Sequence, residues 1–387
     1  MVEAVRSERR ARRRPVSGDG AASGGERTRR YRHLVNPFAP IRAFGEDQVE
    51  RMHEAALGVL ESLGMRVLLP EARARYRAAG ASVDEASQIV RLDRGLVMEA
   101  LAKAPPVIDL VARGEDRNVR LGANHVAFLP VAGPPHVGDS DRGKRPGTLA
   151  DYRDLTRLCQ SFDVLHIVGA MVEAQDVAPA LRQLDVMEAT LTLSDKIPFV
   201  WARGAASVAD SFAMVRLALG LDEEAFRRRV FCYTVVNTNS PLQLDRPMAQ
   251  GIMDFAEAGQ MVVVTPFTLA GAMAPITIPG ALTQAHAEAL AGIALAQITR
   301  PGAPVVYGSF TSNVDMRSGA PAFGTPEYVK AAFGAGQLAR RIGLPWRSSG
   351  ATASNAPDAQ AAYETQMSLW GALMGGCNML IHGAGWL

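Results

Sequence analysis

Amphipathic helical stretches alternate with short apolar runs from Leu149 to the end of the chain. The segment "LADYRDLTRLCQSFD" has the apolar spacing of a helix, and the run "VLHIVGAMV", residues 164–172, follows it. Six further runs repeat this alternation: IPFVWAR, VFCYTVVNT, MVVVTPFTL, APVVYGSF, LPWRSSGA and CNMLIHGAG. Because parallel strands are buried on both faces, continuous apolar runs separated by helices are typical of a parallel sheet covered by helices. The pattern predicts an α/β fold with seven parallel strands.

The connections between these strands favour a barrel over a doubly wound sheet. A nucleotide-binding doubly wound sheet has a glycine-rich turn after its first strand, whereas this chain has "VGAMVEAQ" there and no GxGxxG or Walker pattern. We therefore predict a TIM (β/α)8-type barrel over residues 149–387. Since seven strands can be counted, the barrel is predicted to be truncated after strand seven, with a gap between its first and seventh strands. A complete open sheet of seven strands is the alternative.

A different pattern precedes the barrel, and it predicts an N-terminal α+β cap over residues 35–148. The stretch "GEDQVERMHEAALGVLESLGMRV" is an amphipathic helix with one apolar stripe. Downstream, "HVAFLPVAGPPHVGDSDRGKRPGT" alternates in short pieces around Gly and Pro, which indicates hairpins. The stripe of the helix consists of Val49, Met52, Ala56, Val59 and Leu63.

Residues 1–34 form a basic segment in which Arg is crowded among Gly and Ser, although the formal net charge of the whole chain is only +2. This composition predicts a disordered tail. A nucleic-acid arm or a targeting peptide would need aromatic interleaving or amphipathic spacing, which the segment lacks. No run approaches the length of a membrane span, and the N-terminus has no secretory signal. We expect a cytoplasmic protein that binds neither nucleic acid nor membrane.

The sulfur and imidazole groups are not spaced as metal ligands. The three cysteines, Cys159, Cys232 and Cys377, lie far apart in apolar runs, and the seven histidines include no HxxH or HExxH pair. Neither a disulfide framework nor a protein-bound zinc site is expected. We predict that the chain itself binds no metal.

Barrel enzymes build their sites at the carboxyl ends of the strands, so the side chains that close each predicted strand are the candidates. They include no paired carboxylates, no strand lysine and no carboxylate cluster, which excludes glycoside hydrolysis, Schiff-base chemistry and a Mg²⁺ site of the usual kinds. In chain order the candidates are Glu173, Trp201, Arg203, Tyr233, Asn237, Phe267, Tyr307, Phe310, Arg347 and His382.

An aromatic cage for a permanent cation is the interpretation that this set favours. Ring faces attract cations, and the candidates are rich in rings and poor in carboxylates. Packing of the rings against helices is the structural alternative. His382 and Glu173 are the candidate catalytic residues, although a histidine in this position can equally be a hydrogen-bonded core residue. The predicted cage consists of Trp201, Tyr233, Phe267, Tyr307 and Phe310.

Two long stretches, "YGSFTSNVDMRSGAPAFGTPEYVKAA" and "SNAPDAQAAYETQMSLWGALMGGCNMLIHGAGWL", resemble the trimethylamine methyltransferase family. The segments "ALGVLESLGMRV" and "HVGDSDRGKRPGTLADY" are similar to the N-terminal part of that family, so that the likeness covers residues 35–387. The resemblance implies a barrel enzyme that passes a methyl group from a methylated amine to a corrinoid (cobalamin) carried by a partner protein. The chain itself would then bind no cofactor.

The resemblance also bears on the substrate. The archaeal trimethylamine enzymes of the family carry pyrrolysine, which falls within residues 350–357, where this chain has the ordinary residues "GATASNAP". Pyrrolysine is thought to activate a tertiary amine, whereas a quaternary amine needs no such activation. The chain is similar to the branch without pyrrolysine, which acts on quaternary amines such as glycine betaine. A carboxylate on the substrate could pair with Arg203 or Arg347.

Two other functions stay open at this point. A pterin-dependent methyltransferase on the same barrel would offer Asp or Asn near the pterin ring, and Asn237 and Asn239 are suitable. The chain could also be a binder of quaternary amines without activity, or an inactive truncated product. A homo-oligomer is compatible with all three functions.

Overall fold

The computed structural model describes residues 33–386, so the predicted basic tail lies outside the described residues except for its last two positions. Helices and short strands make up the N-terminal part. Its elements are β1 (Leu34–Val35), α1 (Glu46–Ser62), β2 (Met65–Val67), α2 (Pro70–Ala78), β3 (Ser82–Asp84), β4 (Ile89–Arg91), α3 (Arg94–Lys103), β5 (Val107–Leu110), a 3₁₀ turn (Glu115–Arg117) and β6 (Val119–Gly122).

Strands and helices then alternate through the rest of the chain. The elements are β7 (His125–Pro130), β8 (His136–Asp139), β9 (Gly143–Pro146), α4 (Leu149–Ser161), α5 (Pro179–Leu193), α6 (Ala205–Leu219), α7 (Glu223–Arg228), β10 (Tyr233–Val236), β11 (Gln243–Leu244), α8 (Arg246–Ala258), β12 (Met261–Val264), β13 (Phe267–Ala270), α9 (Ile278–Thr299), β14 (Val305–Gly308), β15 (Phe310–Asn313), α10 (Pro326–Arg341), β16 (Trp346–Ser349), α11 (Ala359–Met374) and β17 (Met379–Ala384).

Parallel pairing curls the central sheet. Ladders join the strands in the order β10, β12, β14, β16, β17 and β7. Single parallel bridges continue this order from β7 to Leu165, from Ile167 to Ile197, and from Phe199 back to β10. The parallel pairs therefore run in a circle, as the strands of a (β/α) barrel do, and the predicted α/β fold with a parallel sheet is confirmed.

The predicted gap between the first and seventh strands is wrong, because β7 occupies that position. Met379 of β17 lies opposite Ala127, and Phe128 of β7 also bridges Leu165 of the first predicted strand. The strand lies within residues 35–148, where the sequence predicts only cap hairpins. Its place in the barrel is hidden in the sequence because the β8–β9 hairpin separates it from α4 and interrupts the strand–helix rhythm.

Asn378 fixes the closure between β7 and β17 at the amino end of the strands. Its Nδ2 donates to the carbonyl oxygens of Ala123 and His125, at 2.9 Å each. Its Oδ1 accepts from the backbone N–H of Trp346 on β16 at 3.0 Å. One side chain thus holds three neighbouring segments in register, and leaving its buried partners without a hydrogen bond would cost about 1–3 kcal/mol each.

The first two predicted strands are not regular strands in the structure. In residues 164–172 and in "IPFVWAR" only isolated bridges form. Pro198 lies between the two bridging residues of the second segment and has no N–H to donate to a ladder. The later predicted strands do form, and "MVVVTPFTL" divides into β12 and β13 around Pro266.

Side-chain caps fix the points at which the barrel helices begin. Thr148 accepts a hydrogen bond from Asp151 N in a capping box at α4. The side chains of Asp245, Thr277 and Thr325 cap α8, α9 and α10 in the same way, each followed by Pro in the first turn. Each cap contributes about 1 kcal/mol. Because a strand end precedes each of these loops, the caps also limit the freedom of the loops that carry the candidate residues.

Alternate side chains of the barrel strands enter two apolar layers. An outer shell, which includes Val262, Val264, Tyr307 and Trp346, packs against the helices and the N-terminal part. An inner layer fills the barrel and is joined by side chains of β5 and β6. None of the helices within residues 33–386 is long and apolar enough to cross a bilayer. The barrel strands contribute to the inner layer Ala127, Leu129, Ile167, Ile197, Phe199, Tyr233, Met261, Val263, Val306, Met379 and Ile381.

Candidate active site

His382 lies at the carboxyl end of β17, and an irregular backbone brings its side chain to the site. Ile381 faces the barrel interior, so in a regular strand the next side chain would point outward. His382 instead has a φ of 61°, and the register of β17 shifts between Leu380 and Ala384. Its Nδ1 lies 2.6 Å from Ser349 Oγ on β16. A non-glycine residue in this strained conformation is a feature that accompanies functional sites.

The imidazole of His382 is neutral at pH 7. Its side chain is buried, and burial lowers the pKa of His382 well below the ordinary value of 6.5. The positive charge of Arg347 lowers this pKa further. A neutral imidazole has one donor and one acceptor nitrogen, so His382 can orient a neighbouring group by a hydrogen bond without carrying charge into the site.

Arg347 is a buried cation that forms no ion pair with the residues that the structure describes. Trp346 before it belongs to the outer shell, so the Arg347 side chain points to the interior, where it is 3% exposed. Its Nε and Nη1 have no hydrogen-bond partner among the described residues. Burial lowers the pKa of Arg347 to about 10, so the guanidinium stays protonated at neutral pH. The titratable groups that act on it are phenols and a thiol rather than carboxylates: Tyr328, Cys377 and Tyr233.

An aromatic cluster surrounds Phe310, the first residue of β15. The Phe310 ring stacks on Phe323 with 5.1 Å between centroids, and it lies 5.0 Å from Phe267 and 6.1 Å from Trp386. The guanidinium carbon of Arg347 lies 5.2 Å from the same ring. Phe310 is buried, whereas Phe267 and Trp386 are partly exposed. The aromatic cluster comprises Phe267, Phe310, Phe323, Tyr328, His382 and Trp386.

Residues 350–357, where the resemblance places pyrrolysine, begin directly after β16 and border this cluster. Ala351 is buried against the aromatic cluster. Glu364 on α11 anchors the segment, since its Oε2 accepts from Thr352 Oγ1 at 2.6 Å and from Ala353 N at 2.8 Å. The carboxylate of Glu364 is thereby committed to the loop, which places small, uncharged side chains beside the aromatic cluster.

Glu173, Arg203 and Trp201 form a separate group at the carboxyl ends of the two irregular segments. Glu173 forms ion pairs with Arg182 and Arg203, and the guanidinium carbon of Arg203 lies 3.9 Å from the Trp201 ring centroid. Burial alone would raise the pKa of Glu173, but the two arginines lower it below the ordinary value. These side chains border a cavity of about 530 Å³ beside α5 and α6. Within this group, the ring face of Trp201 is already covered by a cation.

Tyr233 on β10 and Asn237 directly after this strand are held by neighbours within the barrel. The Tyr233 ring contacts Phe199 edge-on at 5.2 Å, and its hydroxyl donates to Val168 O at 3.0 Å. Asn237 Nδ2 donates to Thr265 O at 3.0 Å. The structure thus places Tyr233 in the packed interior and Asn237 at the carboxyl end of the same strand.

Tyr307 faces the outer shell, on the opposite side of β14 from the barrel interior. Its hydroxyl lies 3.0 Å from Nδ1 of His286 on α9, and His286 Nε2 lies 2.9 Å from Nδ1 of His53 on α1. Burial lowers the pKa of both histidines. This chain of three side chains links the barrel to the N-terminal part. The structure therefore does not bring Tyr307 together with Phe267 and Phe310.

Sequence reasoning missed Ser349, Phe323, Tyr328 and Trp386. Phe323 and Tyr328 follow β15 in the loop and at the start of α10, and Tyr328 donates to Ser349 O at 3.0 Å. Phe323 and Tyr328 could have been found from the sequence, because both lie within one of the two stretches that carry the family resemblance. Within residues 33–386, no group of three or more His, Cys, Asp or Glu side chains is placed to hold a metal ion.

Solved structures support the fold. The monomethylamine methyltransferase of Methanosarcina barkeri superposes with a TM-score of 0.52 and 10% sequence identity, covering 86% of this chain and 72% of that protein. Its complex with hydroxylamine gives a TM-score of 0.54, also at 10% identity, with 87% and 73% covered. At such low identity the likeness establishes a shared architecture.

Sequence comparisons establish the family. A glycine betaine methyltransferase of Desulfitobacterium hafniense strain Y51 is 35% identical over 342 residues, which cover 88% of this chain and 71% of that protein. A trimethylamine methyltransferase of the same species, strain DCB-2, is 30% identical over 349 residues, covering 90% and 70%. The family profile described as trimethylamine methyltransferase matches residues 6–387. The resemblance predicted from the sequence is confirmed, and the chain belongs to the trimethylamine methyltransferase family.

Proposed function

We propose that the protein moves a methyl group from a quaternary amine to the Co(I) corrinoid of a partner protein. Family membership supports the class of reaction, methyl transfer. The observation that carries the choice of a quaternary amine is the aromatic cluster around Phe310, which contains rings and a neutral imidazole but no carboxylate. Ring faces and edges contact a methylated ammonium without needing a hydrogen-bond donor on it.

The reaction of a quaternary amine needs little acid–base chemistry from the protein. The carbon–nitrogen bond breaks with its electron pair going to nitrogen, so the leaving group is a neutral tertiary amine that takes up no proton in that step. The corrinoid supplies the two electrons of the new bond to the methyl carbon. The protein's task is to hold the cation, orient one methyl group and exclude water.

The side chains at the site suit this task. Phe267 and Trp386, which are partly exposed, would contact the ammonium methyl groups, while the buried Phe310 supports both rings. We assign His382 a positioning role, because its neutral ring is bound to Ser349. We assign Glu173 to the orientation of Arg203 rather than to proton transfer, because both its oxygens are in ion pairs.

The acceptor would reach the site from the carboxyl ends of the strands, where the substrates of barrel enzymes bind. The corrinoid is in this proposal a substrate brought by another protein. A partner docking over β15, residues 350–357 and the end of β17 would cover the aromatic cluster and shield the reacting methyl group from water.

Two further observations support a quaternary over a tertiary amine. Residues 350–357, where the resemblance places the pyrrolysine of the archaeal enzymes, are ordinary amino acids in this chain. The 35% identity to a glycine betaine methyltransferase exceeds the 30% identity to a trimethylamine methyltransferase. Glycine betaine is accordingly the first substrate to test.

The experiment is a methyl-transfer assay with chemically reduced cobalamin as acceptor, and then with a purified corrinoid protein. Glycine betaine, trimethylamine and 3,3-dimethylbutyrate, which has carbon in place of the charged nitrogen of glycine betaine, are added separately. Loss of the Co(I) absorbance, with formation of dimethylglycine followed by NMR, is expected for glycine betaine alone. Demethylation of trimethylamine at an equal rate would overturn the choice of substrate class. Binding of glycine betaine without any transfer would favour a non-catalytic binder.

A further inference from the structure

Arg347 presents a problem that the proposed methyl transfer does not explain. A guanidinium that is 3% exposed has lost nearly all its contact with water, and two of its nitrogens lack any partner among the described residues. Leaving a buried charge unpaired is among the most destabilising arrangements in proteins. An anion bound beside the guanidinium would remove this cost.

The position of Arg347 limits where that anion can lie. The Phe310 ring lies next to the guanidinium of Arg347. The same ring also contacts the partly exposed rings of Phe267 and Trp386. A cation held by those two rings is therefore separated from Arg347 by a single phenyl ring. Two positive charges so close in a buried site repel each other strongly unless a negative charge lies beside them.

Arg203, the other arginine among the candidate residues, is neither buried nor without a compensating charge. Its side chain is 46% exposed, and its charge is compensated by the ion pair with Glu173. A substrate anion would have to compete with that carboxylate and with water. Arg347 has neither competitor.

We propose that Arg347 is the specificity-determining residue of the site and binds the carboxylate of a zwitterionic substrate, a betaine. This inference rests on the proposed function and extends it from quaternary amines in general to those that carry a carboxylate. The carboxylate accepts a charge-assisted hydrogen bond from the guanidinium and neutralises its charge. Cations without an anionic group, such as choline and tetramethylammonium, bind more weakly because Arg347 repels them.

The test is calorimetric titration of the full chain with ligands that separate the two charges. Glycine betaine has both, choline has only the cation, and 3,3-dimethylbutyrate has only the carboxylate. The wild type is expected to bind glycine betaine at least about tenfold more tightly than choline, because charge-assisted hydrogen bonds are lost in choline. Acetate should compete with 3,3-dimethylbutyrate. Equal binding of choline and glycine betaine would overturn the inference.

The variant Arg347→Met removes the charge and keeps the length of the side chain. Its affinity for glycine betaine should fall by about tenfold or more, while its affinity for choline should stay the same or rise. Arg347→Lys should restore part of the preference for glycine betaine. Equal losses for both ligands would show that Arg347 has only a structural role. If Arg347→Met does not fold, the comparison of ligands on the wild type decides.

A matched control and an activity readout complete the design. Arg340→Met removes a cation seven residues earlier, on the outer side of the barrel, where its Nη1 donates to Gly375 O at 2.6 Å. It should leave the ratio of the two affinities unchanged. Equal rates of methyl transfer from choline and glycine betaine would support the proposed function but contradict the proposed role of Arg347. Binding of 3,3-dimethylbutyrate through Arg347 without demethylation of any amine would contradict the proposed function and support the role of Arg347.

Discussion

Ser349 Oγ and His382 Nδ1 lie 2.6 Å apart on the adjacent strands β16 and β17. Both side chains are buried, and the backbone of His382 is left-handed so that this contact can form. The contact holds the imidazole beside the Phe310 ring at 5.7 Å between centroids. It fixes an uncharged imidazole next to the site proposed for the methylated amine.

Methyl transfer is expected to show no inflection from His382 between about pH 6 and 8, because burial holds its pKa well below the ordinary value. The rate constant kcat/KM for glycine betaine, measured across this range, should stay flat. His382→Gln keeps a hydrogen-bonding group near Ser349 and should lower kcat less than about a hundredfold, the smallest loss typical of a general acid or base. An inflection near pH 6.5 that disappears in His382→Gln would contradict the positioning role.

Folding stability should fall on acidification because of His53 and His286. Burial lowers the pKa of both in the folded protein, with the positive charge of Arg341 acting in the same direction, while Glu50 partly offsets the effect on His53. The unfolded chain takes up protons on these histidines below about pH 6.5 and the folded chain does not. The stability is thus complete above that pH and is lost below it, by at most about 1.4 kcal/mol per pH unit for each histidine.

Urea unfolding at pH 5, 6, 7 and 8 measures this dependence. His286→Gln should be less stable at pH 8, because it loses the hydrogen bonds to Tyr307 and His53, and its stability should depend less steeply on pH. The matched control is His136→Gln on β8, where the side chain is exposed. A wild-type stability that is the same at pH 5 and pH 8 would count against the neutral histidine pair.

Leu129→Ala tests whether β7 is a barrel strand. Leu129 is fully buried in the inner layer, so its truncation should lower the free energy of unfolding by about 2–5 kcal/mol. Leu217→Ala on α6 removes the same atoms from a side chain that is 84% exposed, and should change stability by less than about 0.5 kcal/mol. Similar small effects in both variants, measured by urea unfolding, would show that the interior contacts of β7 are absent.

Phe267→Leu should weaken binding of glycine betaine by about 1 kcal/mol, because a leucine keeps apolar area but lacks the ring quadrupole. Tyr307→Leu should destabilise the fold, since the buried Tyr307 hydroxyl is bound to His286, yet leave the affinity of the folded protein unchanged. Calorimetric titration below the unfolding transition compares the two. An affinity loss in Tyr307→Leu equal to that in Phe267→Leu would mean that the aromatic cluster is not the binding site.

The sequence predicts the parallel sheet and most barrel strands because their apolar runs are long and uninterrupted. The same property hides which way each side chain points. In β14 the run Val305, Val306 and Tyr307 is apolar throughout, so no alternation reveals that Val306 faces the interior and Tyr307 the outer shell. The predicted five-ring cage therefore mixes residues from both faces of the sheet.

The site can be predicted only in part from the sequence, because tertiary contacts decide which side chains come together. Arg347 and Phe310 were recognisable as strand-end residues, but the absence of a partner for the guanidinium depends on every neighbour that packs around it. The side chain of His382 reaches the site because its φ is positive, and no sequence pattern around it predicts this conformation. Trp386 joins the aromatic cluster from beyond the last strand, where periodicity carries no information.

The hydrogen bonds of Asn378 have a consequence for how the protein folds as it is synthesised. They reach carbonyl groups 255 and 253 positions earlier in the chain, so the seam between β7 and β17 cannot form until all the strands and helices between them have left the ribosome. Contacts of such long range slow folding, because the loop between them must be ordered first. Until then β7 has an unpaired edge that can bind other chains. We expect this seam to be the last part of the barrel to assemble and the step at which a chaperone would help most.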